Sequence, residues 1–112
     1  MTYVTTSENG DELMNEPSTS LRGKCGCGTW IEHWKKYAEK TTVPTCIVAG
    51  CNEQATDGAH VEFTQQTKFK GLTYIAPMCG DHNKDHDLVF TSKPGYRLAR
   101  GSQAETCAKK AK

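Results

Sequence analysis

Between Cys46 and His86 the chain reads CIVAGC, then ATDGAHVEF, then YIAPMCGDHNKDH. Two cysteines stand at C-x4-C spacing, and Cys79 and His82 follow at C-x2-H spacing. A tetrahedral zinc takes four sulfur or nitrogen donors, usually delivered as two short-range pairs from two local elements. The spacing therefore assigns Cys46, Cys51, Cys79 and His82 to one structural Zn2+. The plain alternative is that Cys46 and Cys51 are buried thiols.

A chain of 112 residues allows one domain and buries a limited share of its surface, so a cross-link or a metal is a common supplement. Six cysteines fit either a secreted disulfide scaffold or a metal site. The first 20 residues, MTYVTTSENGDELMNEPSTS, show no basic segment followed by an apolar one, so no signal peptide is expected. Reduced thiolates and a cytoplasmic setting follow as the expectation. No apolar run approaches the ~20 residues that span a bilayer.

Residues 1–23 are rich in Ser, Thr, Asn, Glu and Gly, and the first 20 carry a charge balance of −4. Such a segment buries too little apolar surface to offset its ordering entropy, so a flexible N-terminal tail is expected over 1–23. A single domain is expected over 24–107 and a basic tail, AKKAK, over 108–112. The 92 residues after the first 20 carry 14 basic and nine acidic groups, a mild excess compatible with DNA or RNA contact and equally with an ordinary surface.

The segment CGCGTWIEHWKKYAEK carries a helix signature. Thr29 with Glu32 forms a capping-box pattern, and Trp30, Trp34 and Tyr37 recur on one face. An amphipathic helix is expected at about residues 30–40, ended before Pro44. Its aromatic face has two readings, a core face or a platform for bases, and the core reading is preferred. His33 lies near that face. Beyond it, AHVEF alternates, with His60 and Glu62 on one side and Val61 and Phe63 on the other. LTYIAP reads as a second strand ending at Pro77, CGDHN as the start of a short helix, and PGYRLA as a further strand after a turn at Pro94-Gly95.

Cys25, Cys27 and Cys107 remain open. With His33 they suit a second metal site; they also suit a disulfide, a substitute ligand or free thiols. His86, one turn beyond His82, is a spare ligand or an exposed group.

Cys46/Cys51, GAHV and PMCGDHN together resemble the treble-clef zinc fold and, within it, the HNH endonucleases. The resemblance covers about residues 46–86. It implies a small zinc-stabilised α+β domain of ββα-metal type, with the aromatic helix as an N-terminal addition. His60 matches the family's first histidine and Asn83 its last position. Two positions depart from the pattern: Ala59 stands where an acidic residue or a second histidine precedes the first histidine, and the middle asparagine is replaced in the region of Thr73 and Tyr74.

As an enzyme of this kind the chain would hydrolyse phosphodiesters. His60 would act as general base, and Mg2+ or Mn2+ would be held by Asn83 with Asp57 or Asp85. The two departures favour a zinc-binding module with a degenerate catalytic site. Its expected partner is nucleic acid, with Lys68, Lys70, Lys84, Arg97 and Arg100 as phosphate contacts. The third reading is a protein-interaction adaptor.

Overall fold

The computed structural model describes residues 4–8, 11–15, 30–64, 73–85 and 88–100. Among the described residues six strands form one antiparallel sheet: β1 (Val4–Thr6), β2 (Glu12–Asn15), β3 (Asp57–Phe63), β4 (Tyr74–Met78), β5 (Val89–Thr91) and β6 (Arg97–Arg100). Their order across the sheet is β1-β6-β4-β3-β2-β5. Two helices complete the described residues, α1 (Trp30–Ala38) and α2 (Gly80–Asn83).

The centre of the sheet is the β3–β4 hairpin, in register from Asp57 opposite Met78 to Val61 opposite Tyr74. All five residues of β4 are buried, as expected of a strand covered on both faces. Pro77 sits in β4 opposite Gly58 but beyond the stretch paired with β6, which reaches only Tyr74 and Ile75. The amide hydrogen that proline lacks is therefore not needed on that side. The Pro77 carbonyl accepts from the Ile47 amide at 3.0 Å, which ties the loop before β3 to the sheet.

Alternation sorts the side chains into two cores. Leu13, Ala59, Val61, Phe63, Tyr74, Ala76, Met78, Phe90 and Leu98 lie on one face with Cys46, Ile47 and Cys79. Ile75 and Ala99 point to the other face, where Trp34 and Ala38 of α1 cover them. Helix α1 occupies the segment that the aromatic periodicity marks, and its stripe faces the sheet: Trp34 is 1% exposed, with Trp30 and Tyr37 partly buried beside it. This supports the core reading of the stripe over a stacking platform for bases. The close approach depends on Gly58. A Cβ there would lie 2.5 Å from the Trp30 carbonyl oxygen and 2.6 Å from the Ile31 nitrogen.

Three expectations are corrected. The domain is not a small treble clef of ββα-metal type with an added helix. It is a six-stranded antiparallel sheet in which the hairpin and short helix of the motif are one part. The resemblance covers residues 46–86, and those residues do not encode the strands that join from either side. The N-terminal stretch is also not simply a tail. Within 1–23, Val4–Thr6 pairs with β6, and Glu12–Asn15 lies between β3 and β5. Composition failed there because a short strand needs few apolar groups when a sheet supplies its partners; Leu13, 0% exposed, is the main apolar anchor of β2. Finally, β4 runs one residue past Pro77, to Met78.

Residues 101–112 and 16–29 lie outside the described residues, and with them the C-terminal tail and Cys25, Cys27 and Cys107. Among the described residues no helix is long and apolar enough to cross a membrane.

Candidate metal centre

The first donor pair stands on a loop shaped by backbone hydrogen bonds. Cys46 N donates to Glu53 O at 2.8 Å, and Cys51 N donates to Val48 O at 3.0 Å, closing the turn. Gly50 lies at φ 86°, a left-handed conformation that side-chain-bearing residues rarely adopt. Ala49 N donates to Thr91 O and Lys93 N to Ile47 O, both at 2.9 Å, fastening the loop to the end of β5. The Lys93 ammonium donates to the Cys51 carbonyl and, at 3.0 Å, to Thr45 Oγ1.

The second pair stands where β4 gives way to α2. Cys79 is the N-cap residue of that helix and His82 lies within it, so one turn presents both side chains on the same side. Cys79 follows Met78 of β4, and its loop partner Thr56 N donates to Met78 O at 3.1 Å.

The four donor atoms of Cys46, Cys51, Cys79 and His82 lie within 4.8 Å of one another. His82 Nδ1 is 3.2 Å from Cys79 Sγ and 3.5 Å from Cys46 Sγ. Tetrahedral zinc with ordinary bond lengths places sulfur and nitrogen ligands ~3.5 Å apart and two sulfurs ~3.8 Å apart. The two distances from His82 Nδ1 match that spacing, and the 4.8 Å span of the cluster exceeds the sulfur–sulfur value by about 1 Å at most. Cys46 and Cys79 are buried, whereas Cys51 and His82 are half-buried. Gly50, Cys51, Glu53 and His82 line a hollow of about 410 Å³ on the outer side.

In the protein alone, burial pushes the Cys46 thiol up to about 11. A cation held by that sulfur removes the cost of its charge, so metal binding and loss of the Cys46 proton go together. Three thiolates and a neutral imidazole around a divalent ion leave a net charge of −1. The Lys93 ammonium on the Cys51 carbonyl is placed to offset it.

The remaining candidates are placed differently. His60 is 2% exposed and meets the Trp30 ring edge-on, with centroids 4.4 Å apart, on the α1 face. Asn83 lies beside the metal residues, its Nδ2 donating to Asp57 Oδ2 at 3.1 Å. Those two residues line a hollow of about 280 Å³ with Trp30, Ile31, Thr56 and Gly58, and His60 is not part of that lining. Asp85 is exposed, and its carbonyl accepts from Asn15 Nδ2 at 3.1 Å. His33 is buried among rings, and its Nε2 lies 2.7 Å from Arg100 O. Desolvation holds its pKa below the ordinary value, so the neutral ring donates that bond.

Two of the basic residues expected at phosphate are occupied inside the molecule. Arg97 Nη1 donates to Ala38 O at 2.8 Å, capping the end of α1, and the Arg100 guanidinium lies 6.0 Å over the Tyr74 ring. Lys84 is exposed. Lys68, Lys70 and His86 lie outside the described residues.

Sequence reasoning missed the residues that support the site. Lys93 carried no motif. Asn15 did carry a signal: it shares a strand face with Leu13, and a polar group in register with a core residue asks for a buried partner. No protein-family model, curated protein or solved structure matches this chain.

Proposed function

We propose that this chain is a zinc-stapled β-sheet module, in which one ion clasps the Cys46–Cys51 loop to the Cys79–His82 turn. The observation that carries the reading is the convergence of three sulfurs and one imidazole nitrogen, from two separate elements, within 4.8 Å. The donor chemistry supports zinc over harder ions, which prefer oxygen ligands. Four protein donors leave no open coordination position, the pattern of a structural rather than a catalytic ion. The module reading is also favoured over a nuclease. A general base must reach a water at the substrate, and His60 sits 2% exposed under Trp30.

The test is zinc per chain, measured on reduced protein for the wild type and for Cys46→Ser. The variant is expected to hold one ion fewer. Equal zinc content in the two proteins sinks the assignment, because a second site elsewhere would contribute to both alike.

A further inference from the structure

Asn15 lies 0% exposed on β2, between β3 and β5, with its side chain on the face that holds the metal residues. Its Nδ2 is 3.0 Å from the carbonyl of Asn83, 3.1 Å from that of Asp85 and 3.4 Å from that of His82. An amide nitrogen has two hydrogens, so the two shorter contacts are full bonds and the His82 carbonyl shares one of them. The orientation is fixed by this set, since the opposite flip would aim an oxygen at three oxygens.

These carbonyls end the turn that carries His82. A helix leaves its last carbonyls without partners inside the helix. In α2, Gly80 O accepts from Lys84 N and His82 O from Asp85 N, both bonds being of ordinary length. Asn83 O is satisfied by Asn15 instead. The same turn has no apolar side chain to bury, its residues being Gly, Asp, His and Asn. Packing cannot fix its rotation about its own axis, and a rotation would swing His82 Nδ1 off Cys46 and Cys79. Asn15 supplies what packing does not. Its Oδ1 is buried with no partner among the described residues, a cost that an apolar side chain would avoid, so the donor end is what this site uses.

We propose that Asn15 is the positioning residue of the metal centre: it holds the turn that presents His82, so that strand β2 and the metal site form together. This rests on the zinc reading above. Because coupling is reciprocal, zinc should tighten β2 by the same free energy with which docked β2 tightens zinc.

The experiment uses the full chain in three forms, wild type, Asn15→Asp and Leu13→Ala. Leu13 is the buried apolar neighbour on the same strand and bonds to no carbonyl of the turn, so it controls for simple weakening of β2. Zinc affinity is read by competition with a chromophoric chelator. Cobalt spectra report the ligand geometry, and the signal lost in Cys79→Ser defines this site. Asn15→Asp is expected to weaken zinc ~10–100-fold, the usual range for residues that orient a ligand, and to distort the cobalt bands. Leu13→Ala should bind with an unaltered cobalt spectrum.

Equal weakening in the two variants, or Asn15→Asp within twofold of wild type, overturns the proposal. Should Asn15→Asp fail to fold, hydrogen exchange on the wild type decides. Zinc is expected to slow the amides of β2 more than those of β1 and β6, and equal slowing in all three overturns the coupling. A wild type that takes up no zinc overturns the metal reading itself, whereas zinc uptake that is indifferent to Asn15 overturns only this step.

Discussion

The segments that cover the two faces of the sheet are held by different physics. On the α1 face, large rings lose water: Trp34 is 1% exposed and His33 is fully buried. Their polar tips are then tied to one strand. Trp34 Nε1 donates to Arg97 O and His33 Nε2 to Arg100 O, both at 2.7 Å, and Arg97 returns a bond to the Ala38 carbonyl. On the opposite face, the loop of Cys46–Cys51 and the one-turn α2 bring little apolar surface of their own beyond Ile47, Val48 and the sulfurs. Hydrogen bonds shape these segments but are worth only ~1 kcal/mol each in net terms. A helix face can be held by burial alone, whereas a one-turn helix of Gly, Asp, His and Asn has no apolar side chain to bury. The candidate donor cluster lies where these two segments bring little apolar surface of their own.

The largest test of this contrast is Cys79→Ser. Structural zinc contributes an apparent ~10–16 kcal/mol in small finger peptides, and a domain's net stability is ~5–15 kcal/mol. Removing one sulfur ligand should therefore unfold the domain or lower its melting temperature more than any change on the α1 face. A zinc-free Cys79→Ser protein that melts with the wild type would break the contrast. Trp34→Ala comes next, with an expected cost of ~3–5 kcal/mol from lost burial and a cavity. Its zinc affinity should stay unchanged, because Trp34 touches the other face. A melting temperature equal to wild type would mean the ring is not core.

Gly58→Ala is a smaller probe of the α1 face. The added methyl meets Trp30 and Ile31 backbone, which cannot rotate away, so α1 must shift. Overpacking of this kind costs ~1–3 kcal/mol. Circular dichroism melts check it, and a neutral result would show that α1 floats on the sheet rather than locking against β3.

The contrast also explains what could be read from the sequence. The Cys/His cluster was legible because such spacings act locally: C-x4-C and C-x2-H are separations one turn can satisfy. Helix α1 was legible from Trp30, Trp34 and Tyr37, and β3 from its alternation. The sheet was not legible, because its outer strands depend on distant partners. Val4 pairs with Ala99, and Leu13 lies between Phe63 and Phe90. Neither VTT nor ELMN announces such neighbours. The resemblance to a zinc fold extends that local cluster to a whole architecture, which the six-stranded sheet overturns. His60 shows the same limit. Its match to a motif position carried no information about the α1 ring that covers it.

The smallest effect expected is the acid limb contributed by His33, and its sign follows from burial. In the unfolded chain this imidazole gains a proton as pH falls through its ordinary value of 6.5. In the folded protein desolvation lowers that pKa, and the donated bond to the Arg100 carbonyl only partly counters the effect. The unfolded state therefore binds more protons below pH 6.5, and stability present above that value is lost as pH falls toward the folded pKa. The slope reaches at most ~1.4 kcal/mol per pH unit for one group. In urea melts of zinc-saturated protein between pH 7 and 5, His33→Gln should remove this share of the slope. It should not move the pH at which zinc is released, since His33 lies on the opposite face from the four donor atoms. A shift in the release pH would show that the two faces are coupled through the sheet, and that burial on one side tunes the chelate on the other.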